Sequence, residues 1–133
     1  MTDEAFARAF EQGSITPAQF DHAAHVRLAW VYLHESASLD EALSRMRDAI
    51  RRFAAAARVP QKYHETITVL WTRLLSEVKA DGASGELSGV LLAHPALADK
   101  DLPLQYYSRE RLFSDEARAA WIEPDVRPLI ADA

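Results

Sequence analysis

Cysteine is absent from this 133-residue chain, which excludes thiolate metal sites, thiol nucleophiles and disulfide frameworks together. Glycine and proline are scarce, at 4 and 6 residues, so collagen-like and low-complexity readings fail. Positive charge is in the minority: 15 Lys and Arg stand against 20 Asp and Glu, for a formal net charge of -5. That balance suits neither nucleic acid nor an anionic membrane surface and points to a small-molecule or protein partner. No run approaches the roughly 18 apolar residues of a membrane span. Met1 to Phe10, which carries Asp3 and Glu4, has the pattern of neither a signal peptide nor a transit peptide, so a cytoplasmic protein is expected.

What is present is the composition of a globular domain, 49% hydrophobic and 26% charged. We read residues 1–133 as one all-α domain, a compact bundle of five or six helices. A chain of this length buries about two thirds of its unfolded surface and needs no metal merely to fold. Ala5, Phe6, Ala9 and Phe10 share one side of a short first helix that stops at Gly13. Thr16-Pro17-Ala18-Gln19 has the form of a capping box and predicts a helical segment running to about His34, with Asp21 as an alternative cap. Ser38 and Glu41 form a second box, followed by Leu39, Leu43, Met46, Ile50, Phe53 and Ala57 at helical spacing. The opposite face carries Arg45, Arg47, Arg51, Arg52 and Arg58, read as a solvated face rather than a phosphate site because Glu41 and Asp48 interrupt it.

Between Tyr63 and Lys79 the β-branched run Ile67-Thr68-Val69 suggests a strand, but Ile67, Leu70, Trp71, Leu74, Leu75 and Val78 keep a helical period over three turns. Residues 80–89 hold three of the four glycines and read as the main flexible connection. A short helix over Glu86 to Ala93 ends before Pro95, and Ser114 caps a last helix to about Ile122.

Chemistry concentrates in the histidines. At about 100° per residue, His22 and His25 share the apolar sector of Val26, Ala29, Tyr32 and Leu33, and His64 falls among Ile67, Thr68, Trp71 and Leu75. One such histidine is an ordinary hydrogen-bonded core residue, with Thr68 and Tyr32 as available partners. Three on facing helices are harder to satisfy singly, and a shared ligand does so economically. His22, His25 and His64 are therefore the candidate ligands of a divalent metal (Zn, Fe, Cu or Ni) with an open coordination position, or else members of a metal-free acid–base site. Glu65 is a candidate first-turn general base, although His-Glu alone is weak because Thr68 stands where a zinc-protease motif needs a second histidine. His34 and His94 are given no role.

Tyr106 and Tyr107 precede a basic segment at Arg109 and Arg111. Paired tyrosines usually pack their rings, but one phenol, Tyr107 first, can act as a proton carrier closing the pocket. Arg118 is expected either to fix the tail through Asp125 or to bind a substrate carboxylate. Tyr32, Thr68, Trp71, Tyr106 and Arg118 complete the candidate substrate-binding set, and His64, Glu65 and Tyr107 the catalytic one.

The segments His22-Ala-Ala-His25-Val-Arg-Leu-Ala-Trp30, Lys62-Tyr-His-Glu-Thr-Ile-Thr68 and Tyr106-Tyr-Ser-Arg-Glu-Arg-Leu112, with Glu116-Ala-Arg118 and Glu123-Pro-Asp125, resemble a group of small bacterial proteins over roughly residues 20–128. The resemblance implies kinship and leaves function open. From the residues, the first expectation is a small-molecule enzyme with a buried three-histidine pocket. A ligand-binding or sensor protein using the same pocket, and a structural or interaction protein with core histidines, are the alternatives.

Overall fold

The computed structural model describes residues 1–129, so the last four residues of the expected single-domain span lie outside the described residues. Seven α-helices and no strand occur among them. They are α1 (Asp3–Glu11), α2 (His22–Glu35), α3 (Leu39–Ala56), α4 (Glu65–Ala80), α5 (Leu87–Ala93), α6 (Arg109–Leu112) and α7 (Asp115–Ala119). The all-α class is as expected. The count exceeds five or six because the segment after Ser108 folds as two separate turns, each capped by its own serine: Ser108 accepts from Arg111 N–H and Ser114 from Ala117 N–H.

Local sequence accounts for most boundaries. Ser38 caps α3 by accepting from Glu41 N–H, while the Glu41 carboxylate reaches past the cap to Ala37 N–H at 2.6 Å. The Thr16 box closes only a 3₁₀ turn at Pro17–Gln19, where Gln19 Oε1 accepts from Thr16 N–H at 2.8 Å. Helix α2 begins afresh at His22, with the Asp21 carboxylate accepting from Ala24 N–H at 2.9 Å. Gly13, at φ +78°, ends the chain reversal after α1 in a conformation that a Cβ would strain.

Helix α4 packs against α2, α3 and α7, and α2 also packs against α1 and α3. Trp30, Trp71, Leu28, Met46, Leu70 and Leu75 are fully buried where these helices meet. The β-branched stretch 67–69 stays helical because this burial outweighs weak propensity. Around the four long helices runs a second layer, from α5 through 3₁₀ turns at Pro95–Ala98 and Leu102–Gln105 to α6 and α7.

The arginine face of α3 is more engaged than a solvated face. Arg45 lies over the Tyr32 ring at 4.1 Å and pairs with Glu35, Arg47 pairs with Glu65, and Arg51 covers the Tyr63 ring at 4.7 Å.

Asp3 ties the two layers together. Its buried carboxylate accepts from Leu87 N–H and from Arg27 Nε, each at 2.7 Å. It thereby supplies the N-terminal cap that Glu86, which makes no side-chain cap bond, does not give α5. Asp3→Ala is expected to destabilise the protein by about 2–4 kcal/mol, since it strands a helix N-terminus and the partner of a buried carboxylate. Urea denaturation of both forms checks this. A loss within a few tenths of a kcal/mol would mean that water replaces the carboxylate at little cost.

Candidate functional site

The first turn of α2, the middle of α4 and the segment 100–113 enclose a cleft of about 300 Å³. His22 and His25, at i and i+3, both line it, as does Trp71. His22 lies against the Trp71 ring, 4.5 Å between centroids, and its Nε2 is 3.1 Å from the Leu97 carbonyl oxygen. A carbonyl only accepts, so Nε2 carries the proton and donates.

His25 is held differently. Its ring meets the edge of Phe20 at 6.0 Å, and neither ring nitrogen makes a hydrogen bond to another described residue. Burial, with a smaller contribution from the adjacent His22, lowers its pKa to about 4. At neutral pH it is an uncharged imidazole at the wall of the cleft.

The expected convergence of three histidines does not form. His64 is the residue before α4, in extended backbone at φ -133° and ψ 106°, and serves as the helix N-cap. Its Nδ1 accepts from Ile67 N–H at 3.1 Å, and its Nε2 donates to the Leu112 carbonyl at 2.6 Å. Both nitrogens are thus committed to backbone, leaving none for a metal or a substrate proton. Burial lowers its pKa, with nearby Arg118 acting in the same direction. Among the described residues no group of three His, Asp or Glu side chains is arranged to hold a metal ion.

The other expected site residues divide sharply. Trp71 is in the cleft. Glu65 is turned to α3, where it accepts from Arg47 Nε at 2.7 Å and from the Tyr63 hydroxyl at 2.5 Å, so it is no general base for this cleft. Thr68 donates to the His64 carbonyl at 2.9 Å. The Tyr107 hydroxyl donates to the Ile122 carbonyl at 2.5 Å, and burial raises its pKa, which makes it a structural bond rather than a proton carrier. Tyr32 donates to Glu11 at 2.6 Å beneath Arg45, away from the histidines. Tyr106 packs under Arg127, 4.6 Å from its ring. Arg118 lines a different surface cleft with Arg51 and Tyr63. Nor does it hold Asp125, whose carboxylate instead accepts from Ser108 N–H and Oγ, each at 2.7 Å.

Residues not assigned to the site from the sequence complete the cleft: apolar Phe20, Ile67 and Phe113, and charged Lys100, Asp101 and Arg109. All but Phe20 and Ile67 come from the stretch between α5 and α7, where 3₁₀ turns and the four-residue α6 are too short for periodicity to signal orientation.

Two outcomes are expected. His64→Ala should cost about 1–3 kcal/mol in stability, because it removes a cap and leaves a buried carbonyl unmatched; thermal or urea unfolding measures it. For His25 the folded pKa lies below the unfolded value of about 6.5. Its contribution is therefore fully present above that value and is lost as pH falls through about 4. His25→Gln should flatten the stability profile between pH 7 and 4.5 by about 2 kcal/mol relative to the parent, with His64 leaving a remaining slope of the same sign. Compared with models of protein families, with curated proteins and with solved structures, the chain matches none significantly.

Proposed function

We propose that this protein is a small-molecule enzyme that uses histidine acid–base chemistry in the cleft lined by His22 and His25. The observation that carries this reading is His25: an uncharged imidazole without a protein hydrogen-bond partner among the described residues, at the wall of a cleft large enough for a ligand. The ring nitrogens of half-buried His25 are not among the buried polar atoms without a partner, so they are reachable at the cleft wall, where an incoming molecule can meet them. His22 supports the arrangement, since its Nε2–H is anchored on the Leu97 carbonyl and its Nδ1 remains open to solvent or ligand. In this reading His25 takes a proton from the substrate and His22 orients it. A bound anion would raise the basicity of His25 towards that of an ordinary imidazole at the moment it is needed.

The low basicity of His25 favours one second reading, a binding or sensor protein in which His25 accepts a hydrogen bond without transferring a proton. Both readings require a reachable neutral ring.

Diethyl pyrocarbonate, which acylates only the neutral imidazole, tests that requirement. With its pKa near 4, His25 should be modified at almost the same rate at pH 5.5 and pH 7, as followed by peptide mass spectrometry. N-acetylhistidine amide in the same solution should slow about tenfold over that interval. A His25 that stays unmodified, or that slows with the reference compound, would sink the proposal.

A further inference from the structure

We infer that the cleft takes a small monocarboxylate with a flat apolar body, its carboxylate held by Arg109 and Lys100 and its body lying against the exposed ring of Phe113. The inference rests on the reading of His22 and His25 as a ligand site and adds the chemical class of the ligand.

The lining of the cleft is mixed in character. Phe20, Ile67, Trp71, Leu104 and Phe113 make its aromatic and aliphatic part. Phe113 is 46% exposed although it adjoins the buried His64, whose ring it meets edge-on at 6.5 Å. A large apolar side chain kept at a cleft mouth is more useful to a ligand than to the fold. Flat apolar groups stack well on such surfaces.

The lining also includes Lys100 and Arg109, both exposed. The chain carries more acidic than basic residues, and Arg8, Arg27, Arg45 and Arg47 are each in ion pairs. Arg109 and Lys100 are in none among the described residues; Arg52 and Lys62 are in none either, and what sets Arg109 and Lys100 apart is that both line this cleft. Two cations left unpaired at one mouth, in an acidic protein, suit an anionic group supplied from outside.

Two carboxylates also face this cleft. Asp21 is committed to the first turn of α2, where Oδ1 accepts from Ala24 N–H. Asp101 is exposed beside Lys100. Its charge limits the site to a single anionic group and disfavours phosphate or a dicarboxylate, whose additional charge would meet it at close range. A volume of about 300 Å³ lies at the lower end of the range for small-molecule pockets, in keeping with one ring and one carboxylate.

Benzoate, benzamide and benzylammonium share a ring and differ in charge at its substituent. Each is titrated into ¹⁵N-labelled protein while the Trp71 indole signal is followed, and each is tested for protection of His25 from diethyl pyrocarbonate. Benzoate should bind with a roughly millimolar dissociation constant, as its size dictates, and protect His25. Benzamide and benzylammonium should bind at least about tenfold more weakly. Arg109→Gln and Lys100→Gln should each weaken benzoate several-fold. Their melting temperature and their rate of His25 acylation without benzoate should remain those of the parent, since both side chains are exposed. Equal binding of benzamide, preference for benzylammonium, failure of benzoate to protect, or unchanged benzoate affinity in Arg109→Gln would overturn the ligand class. Any of these with His25 still acylated at a pH-independent rate leaves the acid–base site standing. An unreactive His25 would overturn both.

Discussion

The hydrogen-bonded ring of His64 is the joint on which the arrangement of this molecule turns. It occupies the one position where α4 begins, so its Nδ1 supplies the cap while its Nε2–H reaches the carbonyl of Leu112, 48 residues later in the chain. The next two residues repeat the device in other directions. Glu65 binds Arg47 of α3, and the Thr66 hydroxyl donates to the Ala120 carbonyl while accepting from Ile122 N–H. Successive side chains at a helix start diverge by about 100°, so three neighbours can hold three different parts of the chain. The segment 109–113 is thereby fixed beside the cleft, and Phe113 and Arg109 are presented to it.

This division of labour separates histidines that look alike in the sequence. His64 is saturated by backbone, His22 is half committed, and His25 makes no hydrogen bond among the described residues. Chemistry is open to them in the order of the ring nitrogens they have free. The most enclosed ring holds the fold, and the one with the fewest partners faces the space where a ligand fits.

Much of the fold was legible in the chain. The Ser38 cap with its periodic stripe specified α3, and the stripe from Ile67 to Val78 identified α4 against its β-branched residues. Half of the site was legible for the same reason: His22, His25 and Trp71 lie on helices whose period orients them towards the cleft. His64 was misread by a single residue. A helical wheel applies only to helical backbone, and at φ -133° the N-cap stands outside it, so its ring turned to the backbone instead of along the apolar sector. Thr16 shows the same limit, since its box is satisfied by one 3₁₀ turn. Lys100 and Asp101 carried no signal, because they lie between two 3₁₀ turns where no period orients a side chain, and Arg109, visible only as part of a basic segment, stands in a four-residue helix too short to have one.

The cap that Asp3 lends to α5 reaches further than its own helix. Seven residues containing Gly89 are too few to hold a helix by propensity, so α5 depends on a side chain 84 positions away. The 3₁₀ turn Pro95–Ala98 follows directly, and within it Leu97 offers the carbonyl that anchors His22. A line of dependence thus runs from the third residue of the chain to the imidazole in the cleft. Residues 3, 27, 87 and 97 form one mechanical unit with His22. A change at the Asp3 carboxylate is thereby passed through backbone groups to a ring that Asp3 never touches.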